Sequence, residues 1–270
     1  MVVSAFFENI LTGAIANEIS VSEALLRMKQ AGLESVYVGR DSVSEFGDDL
    51  LELIQSLKLS VEGFHGWFDF AGSPDDTCWM DFIDTAERWG VKHMLFVPGL
   101  IEHPEESARK KENMVSVLRK AVNYGQEKGI AVTMENLDQL TAPYNCADGL
   151  KWFLSRVAGL RCCYDTGNFV IFGEDERKLL DDFLDVLVAV HVKDRSWTKL
   201  HPQDDCCQCA DGKLAYPAAV GEGDIQIPEI LQKLKAVGYP GALIAELYGC
   251  DPAYMLDAME RSVAYLKMHI

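Results

Sequence analysis

The sequence predicts a single-domain (β/α)8 barrel of the TIM type over residues 1–270, and three observations carry that expectation. Short apolar, β-rich runs alternate eight times with longer segments of helical period. Glycines stand between the end of one helical segment and the next run, where a left-handed residue ends a helix at little steric cost. Eight such cycles in about 250 residues is the usual size of this barrel.

The first run is 2–6, within MVVSAFFENI. It lacks a basic start, a long apolar stretch and a cleavage site, so it reads as a strand and not a signal peptide. Ser20 and Glu23 have the spacing of a capping box, opening a helix over Val21–Gln30 that Gly32 stops. Runs follow at 35–38 and 59–64. A helix over Cys78–Trp89 then ends at Gly90, before the run 91–96. Helix Glu105–Lys128 ends at Gly129 before 130–134, and helix Asp148–Val157 is followed by Gly159 before 161–164. The last cycles comprise the run 186–190, helix Ile227–Ala236 with Gly238, the run 242–245 and helix Pro252–Met268. Runs such as VKHMLFV and GIAVTM are almost wholly apolar, which suits parallel strands covered on both faces. An open doubly wound sheet is the competing architecture, but no Gly-rich fingerprint follows the first run. There is no Pro- or Ser-rich linker. The segment from Asp194 to Gly223 breaks the rhythm and reads as an extended loop or lid without helix or strand.

Composition narrows the function classes. With 49% hydrophobic residues the chain can bury a large core, and no apolar stretch reaches the roughly 20 residues that span a bilayer. A cytoplasmic protein is the default expectation. The net charge of −17 opposes a nucleic-acid partner, which would need clustered Lys and Arg, yet tolerates a small anionic substrate held by local cations. Eight cysteines in 270 residues do not make a disulfide scaffold, and Cys162 and Cys163 read as small buried hydrophobes.

The site candidates come from where polar groups interrupt the runs, because such barrels build their sites at strand ends. Reading each run to its end gives His65 after VEGF, Glu135 after VTM, Asp165 after CCY, His191 after VAV and Glu246 after LIA. The last four come from four consecutive strands. Three carboxylates and an imidazole are a mostly hard donor set, suited to Mn²⁺, Mg²⁺ or Co²⁺, with Zn²⁺ also compatible. Without a cation, carboxylates converging at one rim would repel and raise one another's pKa.

TMEN at 133–136, YDTGN at 164–168, HVKD at 191–194, GEGD at 221–224 and AELYG at 245–249 together resemble the xylose-isomerase-like superfamily of sugar and sugar-phosphate isomerases and epimerases. The resemblance runs from the first strand to the last helix and looks closest to the L-xylulose-5-phosphate and L-ribulose-5-phosphate 3-epimerase branch. It implies that Glu135, Asp165, His191 and Glu246 bind one divalent metal, Mn²⁺ foremost. It also implies that Glu135 and Glu246 act as the acid/base pair of a ketose or ketose-phosphate 3-epimerase or isomerase. Two departures stand out. Many members carry His three residues after the metal-binding Asp, where this chain has Asn168. Many ketose epimerases also carry an Arg after the metal-binding His, to which neither Lys193 nor Arg195 is a secure match.

His65, Asn168, Lys193 and Trp67 are the candidate substrate contacts. Each also has a plain structural alternative: a core histidine, a loop-bonding amide, an ion pair with Asp165 or Asp194, and rim packing. Glu222 and Asp224 read as turn-shaping residues. Cys206, Cys207 and Cys209 with His201 match no common zinc module, so an exposed or mobile loop is the better reading. The expected partner is a small sugar or sugar phosphate, with a homo-oligomer possible. A lyase on the same scaffold and a non-catalytic sugar-binding barrel are the alternatives. A DNA-repair endonuclease of this superfamily would need further His ligands and a basic face.

Overall fold

Val2–Phe6 forms β1, which pairs in parallel with β2 (Ser35–Gly39) on one side and with β10 (Ala242–Glu246) on the other. Between them the ring continues through β3 (Ser60–Trp67), β4 (His93–Val97), β5 (Ala131–Met134), β6 (Arg161–Asp165) and β7 (Leu187–Ser196). The β10–β7 pairing closes it into an eight-stranded parallel barrel. The computed structural model describes residues 1–74 and 77–270.

The helices form the outer layer. Ser20 caps α2 (Val21–Ala31) by accepting the Glu23 N–H, and Gly32 ends it at φ 115°. The helix from Met80 ends at Gly90, at φ 77°. Both are the local signals that the sequence displays. Three helices lie outside the periodic segments singled out above: α1 (Phe7–Ala16), α3 (Arg40–Ser56) and a short one over Glu176–Phe183. α1 carries small residues where it meets the C-terminal helix Pro252–Met268. A Cβ on Gly13 would stand 2.7 Å from Leu256 N, so this close approach requires glycine.

The largest departure from expectation is at 194–223. β7 overruns the barrel to Ser196, and there it pairs antiparallel with β9 (Leu214–Ala218), which also pairs with β8 (Cys207–Gln208). The segment therefore contains strands and is not structureless. Asp194 explains how the return is fixed. Its carboxylate accepts backbone N–H groups from Arg195, Gly221, Gly223 and Ile225 at 2.8–3.2 Å, which ties HVKD to GEGD. Burial still pushes this carboxyl up to about 6 against those four donors. Glu222 pairs with Arg261, and Asp224 accepts the Trp197 N–H, so both acids hold the turn.

A candidate metal centre in a single cavity

Side-chain alternation sets the site. His191, Lys193 and Arg195 share one face of β7 and point into the barrel mouth, while Asp194 faces outward to its loop. Register then places Asp165 beside His191 and Glu246 beside Lys193. Glu135 follows β5 directly. Asp165 and Glu246 end their strands as expected, whereas His191 is only the fifth of ten residues in β7 and His65 sits two residues inside β3.

Glu135, Asp165, His191 and Glu246 each offer a ligand atom, and these atoms all lie within 4.8 Å of one another. His191 Nδ1 is 2.9 Å from Glu135 Oε2 and 3.1 Å from Glu246 Oε2. Three atoms of this buried set, Asp165 Oδ2, His191 Nε2 and Glu246 Oε2, make no hydrogen bond among the described residues. Buried polar atoms ordinarily have partners. Acidic oxygens left bare in such a cluster fit a divalent cation held between them. Cys163 lies one inward position below Asp165, and its sulfur belongs to a second such group with Glu135 and His191.

The electrostatics agree. Burial pushes the Asp165 carboxyl up to about 8, reinforced by Glu246 and Glu135 and opposed by Lys193. Glu246 goes the other way: Lys193 and His191 outweigh its burial and hold it well below the usual carboxylate range. Lys193 is the resident cation, with Nζ 2.5 Å from Glu246 Oε1 and 3.4 Å from Asp165 Oδ2. Its ion partners are thus Glu246, Asp165 and Asp138, not Asp194.

One cavity of about 420 Å³ opens above this cluster, lined among others by Glu135, Glu246, Lys193, His65 and Trp67. Trp67 is half exposed at the mouth. Asn168 is placed differently from a substrate contact. It is wholly buried and does not line the cavity; its amide donates to the Asn136 carbonyl and accepts from Lys193 Nζ. The DTGN turn is tight enough to turn this side chain back onto its own loops. Asn168 therefore acts on the cavity through Lys193 and through Arg195, whose guanidinium donates to the same amide oxygen at 3.3 Å. Cys206, Cys207, Cys209 and His201 form no metal-sized group among the described residues, and His201 stacks on Tyr254 instead.

Several cavity residues lie outside the strand-end set. Glu8, two residues beyond β1, bonds His65 Nε2 at 3.0 Å. Asp138, three residues past Glu135, pairs with Arg195 at 2.5 Å and stands 3.7 Å from Lys193. Tyr248 and Arg40 also line the space. Glu8 and Asp138 would emerge from the same strand-end reading if it extended one turn into each following loop.

A closed parallel barrel of this kind is also the fold of a known family, whose model matches residues 25–267. The chain belongs to the xylose isomerase-like TIM barrel family. No curated protein sequence matches it. Among solved structures of this fold, a D-allulose 3-epimerase from Methylomonas sp. is 16% identical, with TM-score 0.75 over 100% of this chain and 98% of that one. The probable 3-DHS dehydratase AsbF from Bacillus anthracis is 12% identical, with TM-score 0.73 over 99% of each chain. IOLI protein with a bound zinc atom is 15% identical, with TM-score 0.73 over 97% of this chain and 95% of that one. Likeness at this level concerns the fold. Among the described residues no helix is long and apolar enough to cross a membrane.

Proposed function

We propose that this xylose isomerase-like barrel is a divalent-metal-dependent ketose 3-epimerase or isomerase. The observation that carries the reading is the buried convergence of Glu135, Asp165, His191 and Glu246 with unpartnered acceptors at the floor of a cavity. A metal held there, Mn²⁺ foremost and Mg²⁺, Co²⁺ or Zn²⁺ as alternatives, would supply Lewis-acid stabilisation of the enediolate charge. Glu135 and Glu246 come from non-adjacent strands and both face the cavity. One carboxylate takes the proton beside the carbonyl, and for epimerisation the other returns one on the opposite face. Lys193 lies against Glu246 and orients a substrate oxygen, with Asn168 holding its ammonium in place. His65 accepts a substrate hydroxyl, and Trp67 forms the outer wall.

The charge of the cavity favours an unphosphorylated sugar. Glu8, Asp41, Glu135, Asp138, Asp205 and Glu246 line it, against Arg40, Lys193 and Arg195. Lys193 and Arg195 are already paired to acids, and Arg40 donates to the Trp67 carbonyl and lies over the Phe68 ring. The α3 N-terminus, an otherwise natural phosphate site, is filled by Glu8, which accepts the Gly39 N–H at 2.7 Å.

A lyase begins with the same proton abstraction, so the test must read both exchange and mass. The Mn²⁺-loaded protein is incubated in D₂O with a panel of ketoses and ketose phosphates. Deuterium entering the carbon beside the carbonyl in a product that otherwise keeps the substrate's mass supports the proposal. A product lighter by one water would replace it with dehydration, and no exchange with any ketose would end it.

A further inference from the structure

The cavity holds a second group of titratable side chains, on the wall built by β1, β2 and β3. Glu8 lies in the first turn of α1 and reaches across three strand ends. Its Oε1 accepts the Gly39 N–H and the Ser42 hydroxyl, each at 2.7 Å, and its Oε2 stands 3.0 Å from His65 Nε2. Gly39 makes room for this arrangement. A Cβ there would meet Glu8 Oε1 at 2.7 Å and His65 Cε1 at 3.0 Å. The His65 ring is gripped by Tyr37, stacked at 5.3 Å and 20°, and by Phe6 at 4.7 Å. Phe6 also touches the His191 ring at 4.7 Å, so one phenyl group separates this pair from the candidate metal cluster.

We infer that Glu8 is a positioning residue for His65, holding its Nε2–H tautomer and so presenting Nδ1 to the cavity as an acceptor for a substrate hydroxyl. The argument is one of donors and acceptors. A carboxylate only accepts, and both Glu8 oxygens already do so, from a backbone N–H, a hydroxyl and the ring. The Gly39 N–H and the Ser42 hydroxyl both donate to Oε1, which holds the group as a carboxylate without any charge on the ring. The ring nitrogen facing Glu8 must then donate, and in a neutral imidazole the other nitrogen carries the lone pair. Nδ1 makes no hydrogen bond to a neighbour among the described residues, on a ring that lines the cavity. Its ring cannot rotate away, because the two aromatic contacts fix the plane.

The substrate part rests on the sugar-site reading above; the tautomer part does not. The test is therefore spectroscopic first. Long-range ¹H–¹⁵N spectra of the full chain loaded with diamagnetic Mg²⁺ assign the His65 nitrogens by their disappearance in His65→Gln. The wild type should show the proton on Nε2 and a pyridine-like Nδ1. In Glu8→Gln the amide oxygen stays with Gly39 and Ser42 and the NH₂ faces the ring, so the proton should move to Nδ1. Ser42→Ala should leave the tautomer unchanged. A wild-type ring protonated on Nδ1, or an unchanged tautomer in a folded Glu8→Gln, overturns the inference, and the wild-type spectrum decides even if the variant does not fold. On any ketose that the wild type turns over, Glu8→Gln should lower kcat about 100-fold with bound metal unchanged. An undiminished kcat sinks the substrate part and leaves the tautomer result standing.

Discussion

Two walls of one cavity treat their buried charges in opposite ways. On the wall of β1–β3, both oxygens of Glu8 are partnered by groups of the chain itself. On the wall of β5, β6, β7 and β10, Asp165 Oδ2 and Glu246 Oε2 lack hydrogen bonds although both residues are buried. Leaving a buried acceptor unpaired costs roughly 1–3 kcal/mol, and more for a charged one. This fold satisfies both oxygens of one acid and leaves one oxygen on each of two others with ion-pair contacts but no hydrogen bond. That separates a self-sufficient pair from a cluster with acceptors to spare. Under the proposed function the difference divides the tasks: the wall of Asp165 and Glu246 would hold an ion and move protons, and the closed wall would orient.

The comparison breaks first, and most visibly, at the two glutamates. Glu135→Gln and Glu246→Gln each remove a carboxylate that the proposed function makes a metal ligand and a proton acceptor, while preserving shape. Turnover of the accepted ketose should fall about 10³-fold or more, with circular dichroism unchanged. A variant retaining full kcat would show that the bare wall does not carry the chemistry.

Between the walls, the outward-facing Asp194 provides a control that is purely structural. It accepts four backbone N–H bonds, and Asp194→Ala would remove the shared acceptor of Arg195, Gly221, Gly223 and the buried Ile225. The expected loss is about 3 kcal/mol, read as a lower urea midpoint. If stability holds and only activity falls, the HVKD–GEGD tie serves the site and not the fold.

The bare wall should also respond to metal as the closed wall does not. Mn²⁺ at about 100 times its Kd should stabilise the wild type by roughly 2.7 kcal/mol, and Asp165→Ala should abolish that gain. An unchanged melting temperature in the wild type would mean that the four groups do not form an ion site.

How much of this was legible in the sequence depends on the range of the interaction concerned. Strands that end in Asp165 and Glu246 or just before Glu135 are local patterns, as are the glycines that stop α2 and the helix before β4. The position of His191 inside β7 is not local, because the strand's overrun depends on pairing with β9 some 20 residues further on. Asn168 shows a different limit. Its offset from Asp165 places it at a substrate position by resemblance, but the direction of its side chain follows from contacts with Asn136 and Lys193. Glu8 was hidden because it lies in a helix, and its partner is 57 residues away. Polar groups at strand ends can be read from sequence, and the bonds that aim them cannot.

The smallest effect sharpens the comparison from the closed wall, in metal-free protein. His65 and Ser42 hold the Glu8 carboxyl below its ordinary value of 4.5 despite burial. A depressed folded pKa means the unfolded chain binds a proton first as the pH falls, so the pair's contribution is complete above the ordinary value. It is lost as the pH drops through the folded pKa. The wild type should therefore lose about 1–2 kcal/mol more than Glu8→Gln between about pH 7 and pH 3, the scale of a hydrogen bond to a charged group. Urea midpoints at the two pH values measure it. Equal losses in the two proteins would mean that Glu8 stabilises through shape alone, and the closed wall would then owe nothing to the charge that faces His65.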